Sequence, residues 1–375
     1  MSNFIETFKD GKAGLNFGLT TGIDALDRAM NGTQRGVSIG VAAAPKCGKT
    51  TFVDYSFVIS PYLQMLQLNR LDDIEWIYFS YEIDRVSKEF KFASFFMAHD
   101  FDVWSYVYKD VTYVMSMEYL MGKQMHKLPD GHSELIPISI EHEEMLKNIY
   151  ISRIVPLFGE YDKYGKKLKQ GKIDLIEEAE NPTGIDKYLK SHARKTGKFV
   201  TESYTILNEK GQTETKTRII GYNANNPMKY TIVILDHIRK PLRERGFSMK
   251  ENIDKTLEYT TISRNLCKYT HINICHSNRG IANVERLKFA GENIFPTADD
   301  VKDTGNLAEE STILMTLFNP NDEKYNLEKH MGVELKDHPN YRSIHITESR
   351  NTPSPMHIQT NMYGGVNMFT PLNQF

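Results

Sequence analysis

The stretch Ala42-Ala-Ala-Pro-Lys-Cys-Gly-Lys-Thr-Thr-Phe52 leaves this chain few folds to choose from. The run Val37 to Val41 before it reads as a buried strand, and Phe52-Val-Asp-Tyr-Ser-Phe-Val-Ile59 after it reads as an amphipathic helix. Strand, tight turn and helix form the setting that a phosphate-binding loop requires. In that geometry backbone N–H groups converge on one concavity, and the helix N-terminus adds its positive dipole end. Ala44, Pro45, Lys46, Cys47, Gly48, Lys49, Thr50 and Thr51 are therefore the candidate nucleotide contacts. Lys49 would reach the β- and γ-phosphates, and the Thr50 hydroxyl would sit on Mg²⁺. Ala43 stands where the usual pattern has its first glycine. The plainer alternative is a helix N-terminus with an exposed lysine.

Two further strands carry chemistry. In Trp76-Ile-Tyr-Phe-Ser-Tyr-Glu-Ile-Asp-Arg85 the apolar residues stop at Phe79, so Glu82 falls just past the strand's carboxyl end. In a parallel sheet that is the edge that holds the phosphate loop. A carboxylate there can deprotonate the water that attacks a γ-phosphate, or simply favour a helix N-terminus. Tyr230-Thr-Ile-Val-Ile-Leu-Asp-His237 is a continuous apolar run ending in Asp236, as expected of a central parallel strand. Asp236 would complete the metal site begun by Thr50, or else cap a turn. His271-Ile-Asn-Ile-Cys-His-Ser-Asn-Arg-Gly280 reads as a further strand, where His276 and Asn278 could sense the γ-phosphate. His276 could equally be a satisfied buried imidazole.

The rest of the chain is read more coarsely. Residues 1–17 suggest an arm, and Ile23, Leu26 and Met30 share one face of a short helix ended by Asn31-Gly32. Residues 86–150 read as helical, with Val86, Phe90, Phe92, Phe95 and Phe96 as a core-facing stripe, then a short strand Ile149-Tyr-Ile151. Insertions are expected at about 153–180, charged and glycine-spaced, and at 199–229, where β-branched residues flank an Asn/Gly turn and argue a β-hairpin. Leu314 to Phe318 and Ser343 to Thr347 read as strands, and Arg350 falls at the tip of the turn Glu348 to Pro355. An arginine there is either inert or, in an oligomeric ATPase, a finger reaching a neighbour's γ-phosphate.

With 375 residues, 40% hydrophobic and 25% charged, the chain can bury a sizeable core. A net charge of −2 means that any nucleic-acid contact must use a local basic patch. Cys47, Cys267 and Cys275 have no metal-ligand spacing and fit reduced thiols. No apolar run approaches a membrane span, so a cytoplasmic location and no membrane partner are expected.

In this order the motifs resemble the RecA-like motor domain of DnaB-family replicative helicases. The phosphate loop is similar to that family's Ala-Ala-Arg-Pro-Ser-Met-Gly-Lys-Thr, and Phe79-Ser-Tyr-Glu-Ile resembles Phe-Ser-Leu-Glu-Met. Ile234-Leu-Asp-His matches Ile-x-Asp-Tyr, and Ile262-Ser-Arg-Asn-Leu-Cys-Lys resembles Ile-Ser-Arg-x-Leu-Lys. Cys275-His-Ser-Asn-Arg279 is similar to Ser-Gln-Leu-Asn-Arg, Val301-Lys-Asp-Thr-Gly-Asn-Leu to Leu-Arg-Glu-Ser-Gly-Ser-Ile, and Ser349-Arg-Asn-Thr-Pro to Gln-Arg-Asn-Gly-Pro. The match runs from about residue 18 to the end. It implies an α/β fold: a RecA-like P-loop NTPase core with a twisted, mostly parallel sheet flanked by helices, plus the hairpin insertion.

The resemblance implies ATP and Mg²⁺ as cofactors, Glu82 as catalytic base and Arg350 as finger. His276 would replace the family's sensing glutamine, and Arg279, Lys302, Asp303 and Gly305 would lie along DNA. It also implies a homohexameric ring on single-stranded DNA and a primase or loader as partner. Two departures stand out. Glu348 replaces the family's lysine two residues before the finger, and no counterpart of the family's N-terminal helical domain is expected. A lone motor of this kind suggests a phage-encoded helicase acting in a host cytoplasm. The same core would also serve a RecA- or RadA-like recombinase forming filaments, or a catalytically inactive relative that binds DNA or serves as structure.

Overall fold

The computed structural model describes residues 17–207, 212–277, 281 and 283–372, with a few helical positions in the first sixteen. Its centre is a sheet of nine strands. In chain order these are β1 (Ser38–Ala43), β2 (Ile74–Ser80), β3 (Ile173–Ile176), β4 (Tyr230–Asp236), β5 (Thr270–His276), β6 (Ile313–Phe318), β7 (Tyr341–Ser349), β8 (Met356–Tyr363) and β9 (Met368–Pro371). Across the sheet they run β9-β8-β7-β6-β1-β5-β4-β2-β3. From β6 to β3 every pairing is parallel, whereas β7, β8 and β9 add on antiparallel.

Both faces are buried, and the alternation of side chains assigns each residue to one of two cores. Ile39, Val41, Trp76, Tyr78, Ile232, Ile234, Ile272 and Ile274 point to one side. There they meet three helical elements: α1 (Asp24–Met30), the helix α2 that opens at Lys49–Asp54, and α3 (Arg85–Phe101). Ala42, Ile77, Phe79, Val233, Leu235 and Cys275 point to the other side, against α4 (Pro182–Thr196) and α5 (Met249–Cys267). Helix α2 widens into a π turn over Tyr55–Ile59 before continuing as Ser60–Gln67. The Phe57 carbonyl accepts from the Trp76 indole N–H at 2.7 Å, tying the helix to β2.

Three local expectations are corrected. Residues 86–150 are not all helical. Asp102, at φ 58°, ends α3, and two small ribbons follow, Ser105–Tyr108 with Val111–Val114 and Met125–Lys127 with Ser133–Leu135. Lys109 and Asp110 both have positive φ, the tight hairpin turn that helical periodicity conceals. Residues 149–151 continue a helix that runs through Tyr150–Ile154 into Val155–Phe158 rather than forming a strand. Within the charged stretch 155–180, Ile173–Ile176 is the edge strand β3, parallel to β2. Its apolar signal is only Ile173, Leu175 and Ile176, and lysines dominate the surroundings. The expected hairpin is present as Gly197–Leu207 paired with Thr213–Ala224.

Candidate active site

Parallel strands in register end at one edge, and there the chain gathers its polar groups. Ala43 pairs with His276, and Asp236 with Ser80, so β1, β5, β4 and β2 deliver their carboxyl ends together. The loop from Ala44 to Gly48 crosses this edge and enters α2, with Cys47 N–H donating to the Ala44 carbonyl at 3.3 Å. Ala43 lies fully buried in β1 with ordinary backbone angles, so that position needs no glycine. Gly48 does need one. Its φ is +97°, and a Cβ there would lie 2.1 Å from the Met362 sulfur.

Lys49 is almost wholly buried, and its ammonium donates to the Ala44 carbonyl at 3.3 Å and to His276 Nδ1 at 2.9 Å. Burial lowers its pKa, against the pull of nearby groups that include Asp236 and Glu82. Accepting from Lys49 requires a neutral imidazole, and burial followed by the Lys49 charge pushes the His276 pKa down accordingly. The His237 ring lies 4.4 Å from the His276 ring, and burial takes its pKa down to about 2.

Thr50 donates its hydroxyl to Asp236 Oδ2 at 3.1 Å. Both groups are oxygen donors, the class that a hard cation such as Mg²⁺ prefers, so the pair fits that ion. Burial raises the Asp236 pKa, and the Lys88 charge opposes that rise most strongly. Glu82 lies just beyond β2, partly exposed, 3.5 Å from the Lys240 ammonium. Its charge raises the pKa of Lys49, His276 and Asp236 alike, which puts it within electrostatic reach of the whole group.

Arg350 is not brought to this cluster. Its backbone N–H donates to the Thr312 carbonyl at 3.0 Å, beside the start of β6, and its guanidinium donates to the Glu309 carbonyl. Ala43 pairs with Leu317, five residues further along β6, about 17 Å of strand away. Lys302, Asp303 and Gly305 fall in a short helical segment between β5 and β6, Ala298–Thr304 running into Gly305–Glu310, of which the backbone is described. Arg279 and Asn278 lie outside the described residues.

The sequence reading missed a second layer. Behind Thr50, one turn further along α2, Asp54 is fully buried, and so is Lys88 of α3, their charges 2.9 Å apart. Lys91 reaches the other Asp54 oxygen at 3.3 Å. The Tyr78 hydroxyl sits 3.0 Å from Asp54 Oδ1 and 3.5 Å from Asp236 Oδ2. The signal was present: Lys88 is four residues before Phe92 on the stripe that faces the core.

No family model matches the chain, and no curated protein matches it by sequence. Among solved structures, the ATPase domain of G40P aligns over 98% of this chain and 97% of its own, with a TM-score of 0.62 and 14% identity. A DnaB-like replicative helicase, described with its interactions with primase, aligns over 99% of this chain and 68% of its own, with a TM-score of 0.63 and 14% identity. The chain shares its fold with these two structures. No helix among the described residues is long and apolar enough to cross a membrane.

Proposed function

We propose that this chain is an ATP-hydrolysing helicase motor that moves along single-stranded DNA as a homohexameric ring, with ATP held between neighbouring copies. The observation that carries the reading is the meeting of Lys49, Thr50, Asp236 and Glu82 at one sheet edge around a loop of phosphate-cradling form. Residues Ala44 to Thr51 would hold the phosphates through backbone N–H groups, with Lys49 turning from His276 to the β- and γ-phosphates. Thr50 and Asp236 would hold Mg²⁺, which when bound supplies positive charge against the phosphates. Glu82 would take the proton of the attacking water, and His276, released by Lys49, would be free to meet the γ-phosphate. Arg350 stands too far along the sheet to serve its own copy, which favours a role in a neighbour's site. Arg279, Lys302, Asp303 and Gly305 are the proposed DNA contacts, and binding through phosphates should weaken with salt.

Residues 18–375 would then form one ATPase unit preceded by an arm, acting in DNA replication with a primase or loader as partner, in a phage-infected host cytoplasm. ATP hydrolysis by the purified protein, measured with and without single-stranded DNA, tests the reading. Stimulation by DNA is expected, together with loss of about 10²–10⁴-fold in turnover for Glu82→Gln with nucleotide binding retained. Turnover indifferent to DNA, or unchanged in Glu82→Gln, would overturn it.

A further inference from the structure

A lysine with no exposed surface is rare, because removing an ammonium from water is costly unless partners replace the water. Lys88 has such partners. Its ammonium donates to Asp54 Oδ1 at 2.9 Å and lies 3.9 Å from the centre of the Tyr78 ring. A pair of apolar side chains of the same size would join α2 to α3 at lower desolvation cost, so mere adhesion between helices does not account for these ions. Their position does. Asp54 sits on α2 one turn beyond Thr50, and the Tyr78 side chain spans from Asp54 to Asp236.

The hydrogen bonds have a definite logic. A phenol has one proton and can give it to one carboxylate at a time. Asp54 receives Lys88 on Oδ1 and Lys91 on Oδ2, so it stays satisfied when the Tyr78 hydroxyl turns away. The proton of Tyr78 is thereby available to Asp236, whose Oδ2 also receives Thr50. Thr50 and a turned Tyr78 hydroxyl would meet on Oδ2, holding that oxygen toward the protein and leaving the carboxylate's other oxygen outside the set. The charges also balance: Asp54 and Asp236 face Lys88 and Lys91, two against two.

We propose that Asp54, Lys88 and Lys91, acting through the Tyr78 hydroxyl, are positioning residues that hold the Asp236 carboxylate in the orientation that takes a divalent cation beside Thr50. This rests on the nucleotide-hydrolysing reading above and deepens it. The set does not touch the substrate. It acts on the cation site from behind, from the α3 side of the sheet.

The test uses the full chain, a fluorescent ATP analogue, and Mg²⁺ or Mn²⁺ as the probe cation. Tyr78→Phe removes one oxygen, and Lys91→Met changes a side chain that reaches the surface, so both variants keep the core volume. The expected result is that the cation concentration giving half-maximal nucleotide binding rises about tenfold in each, in line with losses of outer partners at metal sites. Nucleotide affinity in excess chelator should stay at the wild-type value, which a general loosening of the fold would not allow. Mn²⁺ binding followed by its paramagnetic resonance should weaken in parallel. Cation dependence within twofold of wild type in both variants would overturn the inference and leave the hydrolase reading standing. Cation-independent nucleotide binding in the wild type would overturn both.

Discussion

Replacing Gly48 by alanine is the sharpest perturbation of the phosphate loop, because one methyl group meets two separate penalties. The first is conformational: an L-residue in the left-handed region costs about 1–2 kcal/mol, and Gly48 sits there at φ +97°. The second is steric: the new Cβ would lie 2.1 Å from the Met362 sulfur. A thioether can swing aside at the cost of an unfavourable rotamer, about 0.5–1.5 kcal/mol. Together these make about 1.5–3.5 kcal/mol. The loop can shed that strain by abandoning its bound-state shape without unfolding the sheet beneath it, so the cost should appear in ligand affinity rather than in thermal stability. At about 1.4 kcal/mol per tenfold, nucleotide affinity falls by roughly 10- to 300-fold. A fluorescent-nucleotide titration of Gly48→Ala measures it, and a melting curve checks the fold. Adding Met362→Ala should recover the steric share, about 2- to 12-fold, and no more. Affinity within threefold of wild type in Gly48→Ala would refute the reasoning, and so would full recovery in the double variant.

Three other outcomes follow from the structure. Mixing Arg350→Ala with Lys49→Ala, each inactive alone, should restore turnover to about a quarter of wild type at equal proportions, because half the pockets keep Lys49 and half of those face a neighbour's intact Arg350; no restoration would count against the shared site. Fully buried His271, bonded to Ser263 at 2.8 Å, has its pKa lowered to about 3 by burial. The unfolded chain therefore takes up a proton below about pH 6.5 that the fold refuses, so stability is intact above that pH and falls as pH drops toward 3. Between pH 6.5 and 5 this amounts to about 2 kcal/mol, and His271→Gln should flatten that part of the melting-temperature profile. Asp84 accepts from Ser87 N–H at 2.9 Å and caps the helix that carries Lys88; Asp84→Ala should cost about 1 kcal/mol in denaturant unfolding, recovered largely by Asp84→Ser.

Long apolar runs made the parallel half of the sheet legible. β1 and β4 read correctly because a strand buried on both faces is apolar for most of its length, and β5 shows the same signal at Ile272, Ile274 and Cys275 although His271 and Asn273 lie buried within it. The ends of such strands bring Lys49, Thr50, Glu82, Asp236 and His276 to one edge, which the apolar-to-polar switch in each run makes readable. The hairpin at Gly197–Ala224 was legible from its β-branched alternation. β3 was not, since four residues at a sheet edge are specified by the neighbouring strand more than by their own sequence. The ribbons after α3 were hidden by aromatic spacing that suits a helix as well as a strand. Lys88 was overlooked for a different reason: a lysine on a core stripe reads as an exception until Asp54, thirty-four residues earlier, is seen to face it.

Arg350 lies some 17 Å along β6 from the level of Ala43, and this has an arithmetic consequence if it serves a neighbour. Two molecules paired about a two-fold axis complete each other's pockets only if one face presents both the arginine and the pocket; with the two on opposite faces, copies join head to tail. Copies stacked head to tail in an open row would always leave one terminal pocket without its guanidinium. For such a row, only closure gives as many finished pockets as molecules. Turnover per molecule would then rise with protein concentration and level off once the row has closed, so dilution alone would act as an off switch.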